Sequence, residues 1–385
     1  IPSGVLKREY RINGSEWQEY TGSFNLEVVD GSYTIEYRAI DNVRNVEDNK
    51  SLQVILDSSP PATGIIVNEP RYGNDKVIWV SSSTLVSLSA EDGSGSGVKA
   101  TQYKIDSRNE RTYVEPFTLG SEGSHVIVYR SEDNLGNTET AKSITLLVDR
   151  NPPTTDISIG VPKFGTEPVY VSSQTAIMLT GQDGAGCGID KIQYSLDKGE
   201  TWIVYTSSFT ITQSGMVSIQ YKGADKVRNE GEIKTTGIFV DNSPPVTKFV
   251  PSEPLYEGLY APLSTTYSLS SEDPRIEGGA SGIAKVEYRI DDSELMEYTE
   301  PFPLSVGEHT VRFHATDNVW NGEDVRSFKV IVDTTSPRTD VIPSGELYQV
   351  GTDYFAPLFY TYTLTASQGL SGVDHIEFSV DGGNW

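Results

Sequence analysis

Apolar and polar side chains alternate in short runs throughout the chain. In residues 86–90, Val86, Leu88 and Ala90 alternate with Ser87 and Ser89, so the apolar side chains share one face of an extended segment. Alternation with a period of two is typical of half-buried β-strands, and no stretch shows the spacing of an amphipathic helix. Turns rich in Gly and Pro separate about seven such runs per 92 residues, which predicts antiparallel β-sandwiches.

The pattern returns at a constant interval. A linker that places an aspartate three or four residues before proline occurs four times, and its aspartates stand 92 residues apart, at positions 57, 149, 241 and 333. A fixed period of this kind indicates a tandem array. It divides the chain into a partial repeat (1–57), three whole repeats (58–149, 150–241 and 242–333) and a second partial repeat (334–385). Because residues before proline are extended and short proline-containing linkers are stiff, we expect an extended rod.

A second motif, Y-R-A-x-D-N-x-x-N-x-E, begins at Tyr37 and returns in modified form from Tyr129 to Glu139. Together with the V-D-x-x-P-P linker it resembles bacterial immunoglobulin-like (Big-type) tandem repeats of large surface adhesins and of spirochaete-type surface proteins. The resemblance implies an all-β chain of tandem immunoglobulin-like β-sandwiches on the cell surface. In the adhesin families, similar acidic loops and linker aspartates hold Ca²⁺ between successive domains. Lys226 departs from the motif, where asparagine is expected, and weakens the expectation for a full site in that repeat.

The immunoglobulin topology predicts which acidic residues meet. The loop after the second strand, the loop after the penultimate strand and the incoming linker all lie at one end of such a domain. Converging carboxylates repel one another unless a cation intervenes, and Ca²⁺ takes about six to eight oxygen ligands. The metal-ligating sets predicted in this way are Asp57, Asp92 and Asp133; Asp149, Asp183 and Asp225; and Asp241, Asp273 and Asp317.

A second interpretation of these aspartates stays open. Asp and Asn favour turns because their side chains bond nearby backbone N–H groups, so Asp41, Asp133, Asp225 and Asp317 could each hold a loop together without any metal. At the last junction Gln368 stands where an aspartate partner of Asp333 is expected, which predicts a weaker site there.

Composition narrows the range of partners. The net charge of −24 argues against nucleic acid, whose phosphates need Lys and Arg, and it suits either divalent cations or simple solubility. The single cysteine, Cys187, excludes an intramolecular disulfide, and its Gly-Cys-Gly context predicts a neutral small residue in a loop. No apolar run approaches the roughly 20 residues that span a bilayer.

Residues that suggest catalysis have simpler interpretations. His125 and His309 occupy one repeat position that holds Tyr33 and Val217 elsewhere, so that position carries neither a metal ligand nor a general base. The segment Ser195 to Trp202 matches the S-x-D-x-G-x-T-W hairpin of sialidase-like propellers, yet it recurs too sparsely for propeller blades and predicts a structural hairpin. No nucleophile elbow, phosphate loop or zinc-protease motif is present, so the sequence predicts no enzyme.

The two ends of the sequence cover the same part of the repeat, since residues 1–17 and 369–385 are separated by four periods. Neither partial repeat has the strands for a closed sandwich. We weigh two explanations: the sequence is a window on a longer array, or the tail of one molecule completes the head of the next.

These observations predict a non-enzymatic repeat segment of an extracellular bacterial surface protein, acting as a stalk, fibre or adhesin shaft. Its partners would be further copies of the repeat, in the same chain or as head-to-tail neighbours. Two alternatives stay open: a module that binds surface glycan or host matrix, and accessory repeats of a secreted enzyme whose catalytic domain lies elsewhere. A binding module should concentrate exposed aromatic side chains in one repeat.

Overall fold

The computed structural model describes residues 1–26, 29–74, 76–367 and 369–383, and every regular element in them is a β-strand. These residues contain no helix long and apolar enough to cross a membrane. Residues 1–57 form one sheet with the order β2-β1-β3-β4. Its strands are β1 (Val5–Ile12), β2 (Gln18–Glu19), β3 (Gly31–Asp41) and β4 (Lys50–Leu56).

Residues 58–149 form a two-sheet sandwich. Its strands are β5 (Ala62–Val67), β6 (Arg71–Asn74), β7 (Val77–Ser81), β8 (Val86–Glu91), β9 (Val98–Ile105), β10 (Arg111–Thr112), β11 (Gly123–Asp133) and β12 (Lys142–Asp149). Strands β5 and β8 pair in one sheet, and the other sheet has the order β10-β9-β11-β12-β7-β6. Strand β7 runs parallel to β12, so the first part of the repeat contributes to both sheets.

The next two repeats follow the same plan. Residues 150–241 hold β13 (Thr154–Ile159), β14 (Lys163–Phe164), β15 (Val169–Val171), β16 (Ile177–Gln182), β17 (Ile189–Ser195), β18 (Ile203–Val204), β19 (Gly215–Asp225) and β20 (Lys234–Val240). Residues 242–333 hold β21 (Val246–Pro251), β22 (Tyr260–Ala261), β23 (Thr266–Glu272), β24 (Ile283–Ile290), β25 (Met296–Glu297), β26 (Phe302–Pro303), β27 (Gly307–Asp317) and β28 (Arg326–Val332). In both, a short strand again runs parallel to the last one.

The last residues form two small hairpins, which pair β29 (Arg338–Pro343) with β32 (Tyr362–Ser367) and β30 (Tyr348–Val350) with β31 (Asp353–Phe355). Every sheet takes its strands from one of the five sequence ranges. The all-β fold of tandem immunoglobulin-like sandwiches predicted from the sequence is therefore confirmed.

Each whole repeat has its own apolar core between its two sheets. The penultimate long strand supplies the centre, as its alternation predicts: Ile127 is 0% exposed and Tyr129 8% exposed. Phe117 stacks on Tyr103 with ring centroids 4.3 Å apart, and the equivalent pair recurs in the following repeats. The aromatic side chains at these positions therefore pack the cores.

From the residue pattern we expect a turn at Gly73 and Asn74, a short strand at residues 116–119, and a strand carrying Ile376, Phe378 and Val380 that leads into a hairpin like that of residues 195–202. The structure corrects these three details. Residues 71–74, expected to turn at Gly73 and Asn74, form β6, because they pair with β7 in the larger sheet. The expected strand at residues 116–119 reduces to one bridge between Phe117 and Val86. Residues 373–380 form no strand, since residues 334–383 contain no second strand for them to pair with; Asn384 and Trp385 of the expected hairpin lie outside the described residues.

We expect Ile127→Ala to lower the free energy of unfolding of residues 58–149 by about 3 kcal/mol, because it leaves a cavity in a closed core. Hydrogen exchange along Gly123–Asp133 should accelerate accordingly. The neighbouring Val126→Ala is the control: Val126 is 39% exposed, so its loss should change stability by less than about 0.5 kcal/mol. Equal effects from the two changes would contradict the inward assignment of Ile127.

Candidate cation sites at the repeat junctions

A loop of fixed structure follows each penultimate long strand. Asp133 Oδ1 accepts the N–H groups of Leu135 (2.9 Å) and Asn137 (2.8 Å), and Asp133 Oδ2 accepts the Asn137 side-chain amide (2.7 Å). The same three bonds recur at Asp41, Asp225 and Asp317. The turn-holding role considered from the sequence is therefore real at all four aspartates.

The linker aspartates bond to the repeat that follows them. Asp57 Oδ2 accepts the N–H of Ser96 at 2.6 Å, and the Asn137 amide donates to the Asp57 carbonyl oxygen at 3.2 Å. The corresponding bonds to Asp149 come from Cys187 and Asn229, and those to Asp241 come from Ser281 and Asn321. Each linker is thus anchored by two loops of its downstream neighbour.

The third carboxylate of each set closes the loop after the second long strand. Asp92 Oδ2 accepts the N–H of Gly97 at 2.7 Å, and Asp183 and Asp273 accept the equivalent N–H groups of Gly188 and Gly282 at 2.6 Å. All nine aspartates therefore have local donors that fix their positions.

The structure brings together all three predicted sets. Within each set, one carboxylate oxygen from every aspartate lies within 4.8 Å of the others. Asp133, Asp149 and Asp317 are 0% exposed, and Asp225 and Asp241 are almost as buried. Asp225 joins its set although Lys226 replaces the expected asparagine, and the Lys226 ammonium bonds to the Tyr72 hydroxyl of the previous repeat.

The carboxylates lack basic partners. Within the part of the chain that the structure describes, none of the nine forms a salt bridge with Lys or Arg; nearby Lys99 and Lys222 pair with Glu132 and Glu230. The two carboxylates of Asp57 and Asp92 also lie close to the loop backbone at Gly95. A Cβ there would lie 2.6 Å from Asp92 Oδ2 and 2.7 Å from Asp57 Oδ2, which explains the glycine. Negative charge is therefore concentrated without compensation at each junction.

Several buried oxygens at these clusters have no hydrogen-bond partner among the described residues. They are Asp183 Oδ1, Asp273 Oδ1, Ser96 Oγ and Ser281 Oγ. Ser281 is only 4% exposed. A buried oxygen without a donor is costly, and a bound cation would satisfy it. Oxygen donors from carboxylates and a hydroxyl are a donor set that fits Ca²⁺.

Burial and mutual repulsion change the acidity of the clusters. Burial, together with the nearby Asp241 and Asp317 charges and against the opposing N–H of Gly282, raises the pKa of Asp273 to about 6. Burial likewise raises the pKa of Asp183, Asp225 and Asp317. At Asp133 burial acts in the same direction, but the hydrogen bonds from Asn137 and Leu135 prevail and lower the pKa.

The fourth junction differs from the first three. Asp333 accepts the N–H groups of Thr335 (2.8 Å) and Ser371 (2.9 Å), and these bonds lower its pKa to about 2. Gln368, which suggested a weaker site here, lies outside the described residues. Asp333 belongs to no set of three acidic residues among the residues that the structure describes.

Sequence reasoning missed two kinds of residue at these sites. Asn137, Asn229 and Asn321 bridge the linker to the loop aspartate. Ser96, Cys187 and Ser281 hold the linker carboxylates through their backbone N–H groups. The 92-residue step could have identified the asparagines, whereas a backbone donor leaves no signal in residue type.

His125 and His309 belong to hairpins. His125 Nδ1 lies 2.8 Å from Asp106 Oδ2 and its Nε2 lies 3.0 Å from the Ser121 carbonyl, and His309 has the same arrangement with Asp291 and Ser305. In residues 195–202, Asp197 Oδ1 accepts the Ser195 hydroxyl at 2.7 Å and the Thr201 N–H at 2.9 Å. These residues hold β-turns together in the described structure.

No protein-family model matches the sequence, and no curated protein matches it. Solved structures that resemble it include fibronectin(III)-like modules of Clostridium thermocellum CbhA (16% identity, 46% of this chain, 94% of that chain, TM-score 0.27). A second is protocadherin gamma B2 extracellular cadherin domains 3–6 (13% identity, 87% of this chain, 96% of that chain, TM-score 0.26). A third is the three N-terminal domains of the bacteriophage RB49 outer capsid protein Hoc (13% identity, 71% of this chain, 100% of that chain, TM-score 0.32). At these TM-scores, the likenesses add nothing to what the strand order itself shows.

We expect Asp273→Asn to stabilise the metal-free protein near pH 7. The folded pKa of Asp273 is about 6 against an ordinary 3.8, so the native state holds a proton that the unfolded state has released between these values. Stability therefore falls as pH rises through this window, and Asp273→Asn should remove the part of that slope due to Asp273 and gain about 1 kcal/mol, after allowance for solvent screening.

Denaturant unfolding in EDTA at several pH values between 4 and 7 would measure the slope. Asp197→Asn is a control with an effect on stability of opposite sign. Hydrogen bonds lower the Asp197 pKa to about 2, so the ionised carboxylate stabilises the fold above its unfolded pKa, and this stabilisation is lost only at lower pH. A slope as steep in Asp273→Asn as in the wild type would contradict the assignment.

Proposed function

We propose that the chain is a non-enzymatic structural segment of an extracellular bacterial surface protein, acting as a stalk, fibre or adhesin shaft. A divalent cation at each of its first three junctions, calcium where the donors are all oxygen, would hold successive repeats in a fixed relation. The observation that supports this most is the convergence of one linker carboxylate with two loop carboxylates of the next repeat at three successive junctions.

Calcium suits these junctions for electrostatic reasons. Three carboxylates with oxygens within 4.8 Å of one another repel strongly when at least one of them is buried and no basic residue in the described structure pairs with them. A divalent cation reverses that repulsion, and Ca²⁺ tolerates the irregular sets of oxygen ligands that Mg²⁺ does not. Asp57, Asp92 and Asp133 would ligate the first ion, and the Ser96 hydroxyl offers a further donor. The third junction has the same set with Asp241, Asp273, Asp317 and Ser281.

Direct contacts between repeats support a stiff shaft. At the second junction Lys226 lies 4.3 Å from the centre of the Tyr72 ring and bonds to its hydroxyl at 3.2 Å. Arg228 of the same loop lies 3.9 Å from Glu69. These contacts join the acidic loop of one repeat to the β6 hairpin of the repeat before it.

The third junction has a different contact. Its loop between Asp273 and Gly282 is four residues longer than the loop between Asp92 and Gly97. Gly279 in this loop packs so closely on Phe239 of the previous repeat that a Cβ would collide with the ring, and Phe239 is only 5% exposed. The extra residues therefore form an apolar contact between two repeats.

The distribution of exposed aromatic side chains favours a shaft over a glycan- or matrix-binding module. In the three whole repeats the exposed ones are Tyr72, Phe164, Tyr256 and Trp320, which are spread over all three. In residues 334–385 more are exposed, including Tyr348 and Phe355. These lie on short hairpins that no second sheet covers in the described structure.

We expect Asp133→Asn to abolish calcium binding at the first junction while Asp41→Asn does not. Asp41 holds the same loop in the first partial repeat, and no linker carboxylate lies beside it in the described structure, so the pair separates loss of a ligand from loss of a turn. Calcium at 100 times its dissociation constant should stabilise an intact junction by about 2.7 kcal/mol. Titration calorimetry would count the sites.

Small-angle scattering with and without EDTA would test the shaft itself. Chelation should shorten the maximum dimension of the wild type as the junctions loosen. Absence of calcium binding in the wild type, or equal losses in the two variants, would contradict the calcium proposal. An unchanged scattering profile would separate calcium binding from stiffness.

We expect Phe239→Ala to loosen the third junction. Loss of the ring removes the surface on which the loop at residues 273–282 rests, so trypsin should cleave after Arg275 about tenfold faster, for roughly 1.4 kcal/mol of easier local opening. Leu147→Ala, at the equivalent position of the previous repeat, is the matched control and should leave cleavage at Arg275 unchanged. Unaltered cleavage in Phe239→Ala would contradict the proposed role of the Phe239 contact in holding this loop.

A further inference from the structure

Cys187 gives the second junction a donor atom that the other junctions lack. It is the only cysteine in the chain and occupies the position of Ser96 and Ser281. The backbone N–H at this position bonds to the linker carboxylate at 2.6 Å from Ser96 and at 2.7 Å from Cys187 and Ser281. The side chains of Ser96, Cys187 and Ser281 therefore occupy equivalent positions relative to the linker carboxylates.

This position faces the acidic cluster. The Cys187 sulfur and one carboxylate oxygen from each of Asp149, Asp183 and Asp225 lie within 4.8 Å of one another. Cys187 is 7% exposed, and it does not belong to the apolar core of its repeat. A cysteine that served only as a small apolar residue would be expected among apolar side chains.

Unsatisfied atoms mark the same position as a place for a ligand. Ser281, 4% exposed, has a buried hydroxyl oxygen with no hydrogen-bond partner in the described residues. Beside Cys187, the buried Asp183 Oδ1 is also without a partner there. At the second junction the Cys187 sulfur has a long contact to the Gly188 carbonyl oxygen, at 3.8 Å, and only the loop carboxylate keeps an oxygen without a partner. At the third junction both the Ser281 hydroxyl and Asp273 Oδ1 are without a partner in the described residues.

We propose that the second junction binds a thiophilic divalent cation of the zinc and cadmium class through the Cys187 sulfur and the carboxylates of Asp149, Asp183 and Asp225. The first and third junctions, whose donors are all oxygen, would keep Ca²⁺. This inference rests on the proposed function in placing a cation between the linker and the downstream loops. It assigns the second junction a different ion because thiolate ligands select soft and borderline metals, whereas Ca²⁺ takes oxygen ligands.

The binding step involves no redox change. The cysteine S–H proton passes to solvent as the sulfur–metal bond forms, and the ion loses bound water to the three carboxylates. Three carboxylates and one thiolate give the four protein ligands that zinc commonly takes.

Cobalt(II) titration of the full chain, kept reduced with a phosphine, provides the test, because cobalt bound to a thiolate gives a charge-transfer band in the near ultraviolet. The wild type should develop this band and saturate at one equivalent. Cys187→Ser, which converts the site to the form of its neighbours, should lose the band and bind cobalt at least about tenfold more weakly. Ser281→Cys should add a second band at the third junction, which keeps the test informative if Cys187→Ser folds poorly.

Asp183→Asn separates a built site from a thiol that binds metal alone. It keeps Cys187 but should weaken cobalt binding at least about tenfold. A wild type without the band, or an Asp183→Asn variant that binds like the wild type, would overturn the inference. Calcium binding is measured separately. If the chain binds cobalt at Cys187 but no calcium, the inference about the second junction holds and the calcium proposal is contradicted. If it binds calcium but no cobalt at Cys187, the calcium proposal holds and the inference is contradicted.

Discussion

The structure depends on carboxylates from two consecutive repeats being held side by side without a basic side chain between them. At the first junction, local donors fix all three: the N–H of Ser96 holds Asp57, the N–H of Gly97 holds Asp92, and Asn137 holds Asp133. These bonds determine where the oxygens lie, but they leave like charges facing one another. Hydrogen bonding thus sets the geometry of the junction, while its charge sets the kind of ligand that would stabilise it.

The repeats share this frame but differ in what surrounds it. The second junction adds Lys226 against Tyr72, and the third adds Gly279 against Phe239. In a linear array, stability is approximately the sum of the repeats and their nearest-neighbour terms. Substitutions confined to one loop can therefore change the stiffness of one junction without disturbing the others, which is a useful property in a shaft.

Much of the fold and of the acidic clusters could be predicted from the sequence, because both follow from periodicity. Alternation identified Ile127 and Tyr129 as core residues, and the 92-residue step, combined with the topology, grouped Asp57 with Asp92 and Asp133. Strand β6 was missed because four residues give too short a run to show alternation. Phe239 was missed for another reason: its neighbour Gly279 belongs to the next repeat and lies in a loop that is lengthened in that repeat only, so the 92-residue step carries no sign of the contact.

A ligand set divided between two repeats couples cation binding to the relation between them. Asp57 belongs to the linker, whereas Asp92 and Asp133 belong to the next sandwich, so any movement that separates the repeats also dismantles the site. By linkage, free energy released on binding appears as resistance to that movement. Without the cation, repulsion among the same carboxylates opposes the anchoring bonds from Ser96 and Asn137. The anchoring hydrogen bonds and the repulsion between carboxylates therefore oppose each other at the junction. The presence or absence of a cation between the carboxylates determines which one prevails.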